Sequence, residues 1–384
     1  MSEQSLFTPR FFVMCGFSFT VFVSAFQLFP TAPFHIRDLG GSTFAAGLFL
    51  GLLTYASALS APFTGAIADR IGHRRMLVIC STVIAAFSIA YAAAPSPGVM
   101  LVLVVPHGMF WSGLMVASGV YVTTLVPAER RAEGIGYWGL STVLAIAVAP
   151  NIGFFLYRRG WLILCAVMLA LNLLMLAITW SLDEIHKPPS PDEHRFSLEW
   201  RVLFVSLAVF MYSFGYGGIT SFSAMYADAA GISPKAVYLT TVAVAILVSR
   251  PAAARLGDRL GYRRVFLPCT LLITIGLGLL AWLPPSRPGM IVSAGVFGAG
   301  FGTAWPVFMA YMLGRVEPRR RGAAYGAMIA AFDTGIGTGS TALGWLIQAY
   351  GYAAAFGVAA ALSALSAPYF LAADRLLGVR SKTP

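Results

Sequence analysis

The sequence predicts an all-α membrane protein with twelve transmembrane helices in two six-helix repeats, and three observations lead to this fold class. Apolar residues make up 58% of the 384 residues and charged residues only 11%. Apolar runs of about 20 residues, the length that crosses a hydrocarbon layer about 30 Å thick, recur along the whole chain. A basic loop sequence occurs twice, 189 positions apart, which is about half the chain and indicates an internal duplication.

The apolar runs place the twelve spans in order along the chain. They cover residues 11–34, 43–67, 76–94, 99–125, 133–157, 161–181, 202–226, 235–256, 265–284, 289–313, 322–347 and 353–373. The polar stretch 183–200 contains several prolines and many charges, as a linker does. We therefore expect an N-terminal half at 1–182, a cytoplasmic linker at 183–200 and a C-terminal half at 201–384.

In each copy of the repeated loop an apolar run stops at Asp, Gly allows a tight turn, and Arg residues precede the next run. Each copy therefore predicts a short basic hairpin between two membrane helices. The candidate gate residues in these loops are Gly65, Asp69, Arg70, Gly72, Arg74 and Arg75 in the first copy, and Asp258, Arg259, Gly261, Arg263 and Arg264 in the second.

The distribution of cations predicts the orientation of the chain. If both repeated loops face the cytoplasm, 20 of the 26 Lys and Arg residues lie inside, five lie outside and Arg250 lies within a span. This bias predicts cytoplasmic termini and a multi-pass protein of the inner or plasma membrane. Because the positive charges follow topology and do not form one solvated face, the net charge of +11 does not indicate a nucleic-acid partner.

The loop pattern G-x-x-x-D-R-x-G-x-R-R resembles the loop signature of the major facilitator superfamily of transporters. The resemblance implies that fold, with a substrate site between the halves near the membrane midplane. It also implies that Asp69 meets the start of span eleven near Gly322, and Asp258 the start of span five near 131–132, as cytoplasmic latches. The alternative is that both acids only determine topology.

Three ionisable residues are predicted deep within spans: His107, Arg250 and Asp333. A charge at such depth is unfavourable unless it is paired or hydrated, so each is a candidate for proton coupling. Asp333 and Arg250 lie at similar depth, and we expect them to form an ion pair in which Asp333 takes up and releases the proton. A static pair without a transport role is the alternative.

His107 is either a proton or substrate site, or a neutral histidine bonded to a nearby carbonyl group. Val104 stands where the family commonly has Arg, four positions before Gly108, which argues against a relay like that of the drug/proton antiporters. The sequence Ala149-Pro150 in span five resembles the Gly-Pro signature of the export branch, and ordinary helix packing is its alternative.

Aromatic and polar side chains on several spans are candidates for the wall of the substrate cavity. They are Gln27, Trp111, Tyr121, Trp138, Asn151, Tyr212, Tyr216 and Trp305. A cavity with such a wall is nearly uncharged and suits neutral or amphipathic small molecules better than polyanions.

The sequence therefore predicts a monomeric secondary active transporter that works by alternating access and exports a small organic solute, coupled to protons. The alternatives are an importer or uniporter of a sugar-like solute, or a transporter-like membrane sensor. We expect no enzyme activity, no cofactor and no metal site, because no nucleotide-binding loop occurs and only His107 and Asp333, on different halves, could serve a catalytic cluster. The expected partners are a small-molecule substrate, protons and the lipid bilayer.

Overall fold

The computed structural model describes residues 6–127, 130–184, 200–317 and 320–377. These residues form helices and no strand. The helices are α1 (Pro9–Leu28), α2 (Ala32–Asp38), α3 (Thr43–Ile71), α4 (His73–Ala92), α5 (Pro97–Leu125), α6 (Arg131–Tyr157), α7 (Trp161–Ser181), α8 (Trp200–Ala229), α9 (Val237–Leu260), α10 (Tyr262–Trp282), α11 (Arg287–Leu313), α12 (Arg321–Ala364) and α13 (Ser366–Leu377).

Ten segments of the described chain are long and apolar enough to cross a membrane, and Val237–Pro251 is a shorter apolar segment. One of the ten, Ala323–Arg375, has 53 residues, which as one straight helix would measure about 80 Å, far more than a bilayer needs. It is interrupted at Gly351, whose φ of 81° and ψ of 174° lie outside the helical region. The segment thus supplies two of the twelve predicted spans, and the predicted count agrees approximately with the structure.

The predicted first span, 11–34, lies within the candidate membrane segment Pro9–Asp38, but the helix is interrupted inside that segment. Helix α1 stops at Leu28, because Pro30 has no N–H to continue the helical hydrogen bonding. Helix α2 begins at Ala32, with Pro33 in its first turn. The hydroxyl of Thr31 donates to the carbonyl oxygen of Gln27 at 2.6 Å, which satisfies one of the acceptors exposed at the helix end.

The helices form two compact units, and the first contains residues 6–41, 55–127 and 130–184. In this unit α1 packs on α6 and α7, while α4 packs on α5 and α7. Its core includes Phe11, Phe17, Leu77, Leu114 and Tyr121, all of which are almost completely buried. The arrangement gathers α1, α4, α5 and α7 around one interior.

The second unit contains residues 42–54, 200–317 and 320–377. Here α12 packs most extensively on α8, α10 packs on α11, and α11 packs on α9. The start of α3 belongs to this unit, since the hydroxyl of Ser340 in α12 donates to the carbonyl oxygen of Gly47 at 2.8 Å. The boundaries predicted from sequence, 1–182, 183–200 and 201–384, stay a prediction.

Many large apolar side chains of the described helices are exposed, as a lipid environment favours. Trp282 is 81% exposed, Leu59 75% and Val102 72%. Patches of such residues on a protein in water would favour association. The surface composition therefore agrees with helices that lie in a membrane.

Candidate functional site

Three of the predicted cavity residues lie in one aromatic cluster of the second unit. The ring of Tyr216 stacks on Phe301 with centroids 4.2 Å apart, and Tyr212 contacts Phe301 edge-on at 6.0 Å. Trp305 contacts Phe332 at 4.8 Å. The cluster thus joins α8, α11 and α12, and it ends one residue from Asp333.

The expected ion pair between Asp333 and Arg250 does not form among the described residues. The carboxylate of Asp333 is partly buried in α12 and takes part in none of the ion pairs of the described chain. The physical reason is the helix arrangement, because α9 packs chiefly on α11 whereas α12 packs chiefly on α8 and α10. Equal depth in the membrane does not make two helices neighbours.

Close packing of α12 on α8 holds the segment around Asp333 in place. A Cβ atom on Gly335 would lie 2.6 Å from the carbonyl oxygen of Phe210, so only glycine fits there. The hydroxyl of Ser213 donates to the carbonyl oxygen of Phe332 at 3.1 Å. The backbone on both sides of Asp333 is therefore fixed against α8.

His107 lies in the interior of the first unit and is 5% exposed. Its Nδ1 atom is 2.9 Å from the hydroxyl of Tyr91, and its ring stacks on Phe87 at 5.3 Å. The partner is thus a tyrosine hydroxyl and not the carbonyl group considered from the sequence. Its role in proton coupling stays a prediction.

The remaining predicted cavity residues are distributed over the first unit. Gln27 is fully buried, and neither its amide nitrogen nor its amide oxygen has a hydrogen-bond partner among the described residues. Trp111 contacts Phe22 at 5.7 Å, whereas Trp138 donates from Nε1 to the hydroxyl of Ser18 at 2.5 Å. Asn151 lies on α6 and is exposed.

The first repeated loop is bound to the end of α7. Gly72, with a φ of 97°, precedes α4. The backbone N–H of Arg74 donates to a carboxylate oxygen of Glu184 at 3.3 Å, so this acid caps the positive end of α4. The guanidinium of Arg74 donates to the carbonyl oxygen of Trp180 at 2.9 Å.

The second repeated loop is bound to the end of α13. Gly261 has a φ of 85°, and Arg263 lies 3.4 Å from a carboxylate oxygen of Asp374. Asp374 also lies 3.0 Å from Arg315 and accepts a hydrogen bond from the hydroxyl of Tyr311 at 2.7 Å. The side chain of Asp374 is 6% exposed and is surrounded by three donors.

The sequence analysis did not identify that the contact of a tyrosine with the end of the last helix occurs in both units. Tyr311 and Asp374 follow Tyr121 and Asp183 by 190 and 191 positions, nearly the spacing of the repeated loops. In the first unit the hydroxyl of Tyr121 donates to the backbone carbonyl oxygen of Asp183 at 3.0 Å. The spacing of about 190 positions between the two tyrosines and between the two acids was visible in the sequence and could have identified all four residues.

The predicted latches stay predictions. A carboxylate oxygen of Asp69 lies 3.6 Å from the Nε2 atom of His73 in the same loop. The side chain of Asp258 lies outside the described residues, as do the side-chain surroundings of Gly322 and of residues 131–132. The other predicted gate residues lie in helices α3, α4, α9 and α10. Of these, Gly65 is partly buried and Arg70, Arg75, Arg259 and Arg264 are exposed.

The family model of the Major Facilitator Superfamily matches residues 11–249 and 205–382 of this chain. The chain belongs to the Major Facilitator Superfamily. An uncharacterized MFS-type transporter of Burkholderia pseudomallei (strain 1106a) is 27% identical over 378 residues, which cover 94% of this chain and 92% of the relative. An all-helical membrane fold and membership of a family of transporters are therefore established.

Two solved structures have the same fold as this chain, although their sequences are only 14% and 17% identical to it. The nucleoside transporter NupG, as a D323A mutant, has a TM-score of 0.78 at 14% identity, with 95% of this chain and 100% of that chain covered. The human organic anion transporter MFSD10 has a TM-score of 0.74 at 17% identity, with the same coverage. At these identities the likeness concerns the fold alone.

Proposed function

We propose that this MFS transporter exports a small, neutral or amphipathic organic solute in exchange for protons, and that Asp333 is the group that binds the proton. The observation that carries the proposal is a carboxyl group within a span that has no ion-pair partner among the described residues. A carboxyl group in that environment is favoured either protonated or in contact with water. A group that alternates between these two conditions binds and releases a proton.

The aromatic cluster of the second unit supports the proposed substrate class. Tyr212, Tyr216 and Trp305 lie with phenylalanine rings in a region next to Asp333. Aromatic walls with few polar groups favour ligands with an apolar or planar body. A polyanion would need several cations, and Arg250 by itself does not form a phosphate clamp.

Gln27 is the proposed polar contact in the first unit. Its amide is fully buried and both of its polar atoms have no partner among the described residues. Leaving such groups unsatisfied disfavours the folded state by about 1–3 kcal/mol for each. A hydroxyl or carbonyl group of the solute would satisfy them, which assigns Gln27 a role in solute selectivity.

The direction and the orientation belong to the same proposal. The 20-to-5 distribution of cations supports cytoplasmic termini, and the bacterial relatives support the inner membrane as the location. The Ala149-Pro150 sequence in α6 supports export. We propose that one monomer is the transporting unit.

Uptake or uniport of a sugar-like solute is the second candidate function. It is favoured by the fold likeness to NupG, which is a nucleoside transporter. A nucleoside combines a sugar with a planar base, so the aromatic cluster of the second unit would also suit it.

Transport in proteoliposomes that contain a pH-sensitive dye separates the two candidates. The panel consists of amphipathic aromatic compounds, nucleosides, simple sugars and, as a negatively charged control, a nucleotide. We expect protons to move down an imposed proton gradient while an aromatic or other neutral solute moves in the opposite direction. The nucleotide is expected to produce no signal.

Each outcome of this assay decides between the candidates. A solute that moves in the same direction as the protons, or without proton movement, contradicts proton-coupled export and favours the second candidate.

Replacement of Gln27 by Leu, which has similar volume and no polar atom, is expected to raise KM for the transported solute. An unchanged KM would remove Gln27 from the proposed site.

A further inference from the structure

The interior of the first unit contains a small cavity between α1, α4, α5 and α7. The space open to the centre of a water molecule is about 10 Å³, and the wall includes Ser24, Ser88, Tyr91, His107 and Asn172. No Asp, Glu, Lys or Arg is among the described residues that line it. The cavity is therefore small and mostly apolar, with five polar side chains in its wall.

Asn172 leaves one polar atom unsatisfied at this cavity. The side chain is 1% exposed, and its amide nitrogen donates to the hydroxyl of Ser88 at 2.9 Å. Its amide oxygen has no hydrogen-bond partner among the described residues. Because the nitrogen is held by Ser88, a rotation of the amide would only exchange one unsatisfied atom for another.

A second polar group lies on the same wall. The Nδ1 atom of His107 is 2.9 Å from the hydroxyl of Tyr91, which leaves Nε2 available to another partner. The backbone carbonyl oxygen of Tyr91 accepts a hydrogen bond from the indole of Trp161 at 2.9 Å. Tyr91 and His107 are thus fixed in position, and the cavity has polar groups on α4, α5 and α7.

We propose that this cavity is a binding site for one ordered water molecule, which donates a hydrogen bond to the amide oxygen of Asn172. The volume is close to the minimum for one water, and a bound water requires two to four polar partners, which the wall supplies. A metal ion is disfavoured because the wall has no carboxylate. The water joins the Asn172–Ser88 pair to the His107–Tyr91 pair, and so connects three helices of the unit.

An experimental density map of the full-length protein, at a resolution that reveals ordered waters, tests the site. We expect a peak within hydrogen-bond distance of the Asn172 amide oxygen. The peak is expected to be absent in Asn172→Leu, and to persist in the control Met168→Leu, which changes an apolar residue of the same wall. No peak in the wild type, or a peak that persists in Asn172→Leu, would overturn the proposal.

The melting temperature gives a second readout that depends on the water. If the water is present, Asn172→Leu removes its acceptor, leaves Ser88 and His107 without their connection, and lowers the melting temperature by several degrees. If the cavity is dry, the same substitution loses only the hydrogen bond to Ser88 and removes an unsatisfied buried oxygen, so the melting temperature stays unchanged or rises. Either result would contradict the site even where no density map is obtained.

Discussion

At the residue scale, the structure separates acids that stabilise helix ends from the acid proposed to act in transport. Asp374 is surrounded by Arg263, Arg315 and the hydroxyl of Tyr311, whereas Asp333 has no ion-pair partner among the described residues. A buried carboxylate with three donors is satisfied in one conformation and is well suited to a structural role. The surroundings of Asp374 thus favour a structural role, whereas those of Asp333 support the role in proton binding that we propose.

Replacement of Asp374 by Asn is expected to destabilise the protein by about 1.5–3 kcal/mol, the range for hydrogen bonds to charged groups. The two Arg partners would be left without their counter-charge at a site where the carboxylate is 6% exposed. Thermal melting of the purified protein in detergent measures the effect.

Asp183→Asn is the matched control in the first unit. The pair between Arg10 and Asp183 has side chains that are 65% and 64% exposed, and pairs of that kind contribute about 0–1 kcal/mol. Equal losses of stability in the two variants would contradict a structural role specific to Asp374.

The sequence predicted single residues better than their pairing. Asp333 and His107 were correctly placed within helices, because a lone ionisable residue in an apolar run is visible in the sequence. The pair of Asp333 with Arg250 was wrong, since depth along a span contains no information on which helices are neighbours. Asp374 was missed because it lies at the end of the last span, where an acid is unremarkable in sequence.

At the element scale, α12 combines a tight interface with a break. A Cβ atom on Gly339 would overlap the backbone carbonyl of Phe214 in α8, and a positive φ at Gly351 ends the first straight part of α12. The small residues allow close approach of the two helices, which in a membrane replaces hydrophobic packing as the source of association. Glycines thus determine both the close packing of α12 on α8 and the position of the break in α12.

Gly339→Ala is expected to destabilise the protein by about 1–3 kcal/mol through overpacking against α8. Gly326→Ala in the same helix is the control, because its Cβ atom would meet nothing within 4 Å. There Ala should stabilise the helix by about 0.5–1 kcal/mol. Melting curves that shift in the same direction for both variants would contradict the packing account.

The sequence predicted the helices well, because bilayer thickness fixes the length of an apolar run. It did not predict the early end of α1, where Pro30 overrides an apolar run that continues to residue 34. The predicted boundary between the last two spans, residues 347 to 353, contains the break at Gly351. The glycine contacts between α8 and α12 could not be predicted, since they depend on which faces of the two helices meet.

At the scale of the whole molecule, the duplication extends beyond the loop sequence to the contacts around it. Each unit has contacts between its repeated loop, a tyrosine and an acid near the end of its last helix. In the first unit Arg74 contacts Glu184, and Tyr121 contacts the neighbouring Asp183. Cations of both repeated loops take part in these contacts, since Arg74 donates to the carbonyl oxygen of Trp180 and Arg263 pairs with Asp374.

The orientation predicts the result of reporter fusions. A fluorescent protein fused after Pro384 is expected to fluoresce, and alkaline phosphatase at the same position is expected to be inactive, because both would lie in the cytoplasm. Phosphatase fused after Ser286, in the loop between α10 and α11, is the control and should be active. The reverse pattern would contradict the proposed orientation.

The most direct test of the account compares proton movement for wild type, Asp333→Asn and Asp228→Asn in proteoliposomes with a transported solute. Asp228 is an acid of the same unit that pairs with Lys235 at 2.7 Å and is 47% exposed, so its replacement controls for loss of a negative charge. The account predicts that Asp333→Asn abolishes solute-driven proton movement, whereas Asp228→Asn retains it. Proton movement by Asp333→Asn equal to that of the wild type would contradict the central proposal.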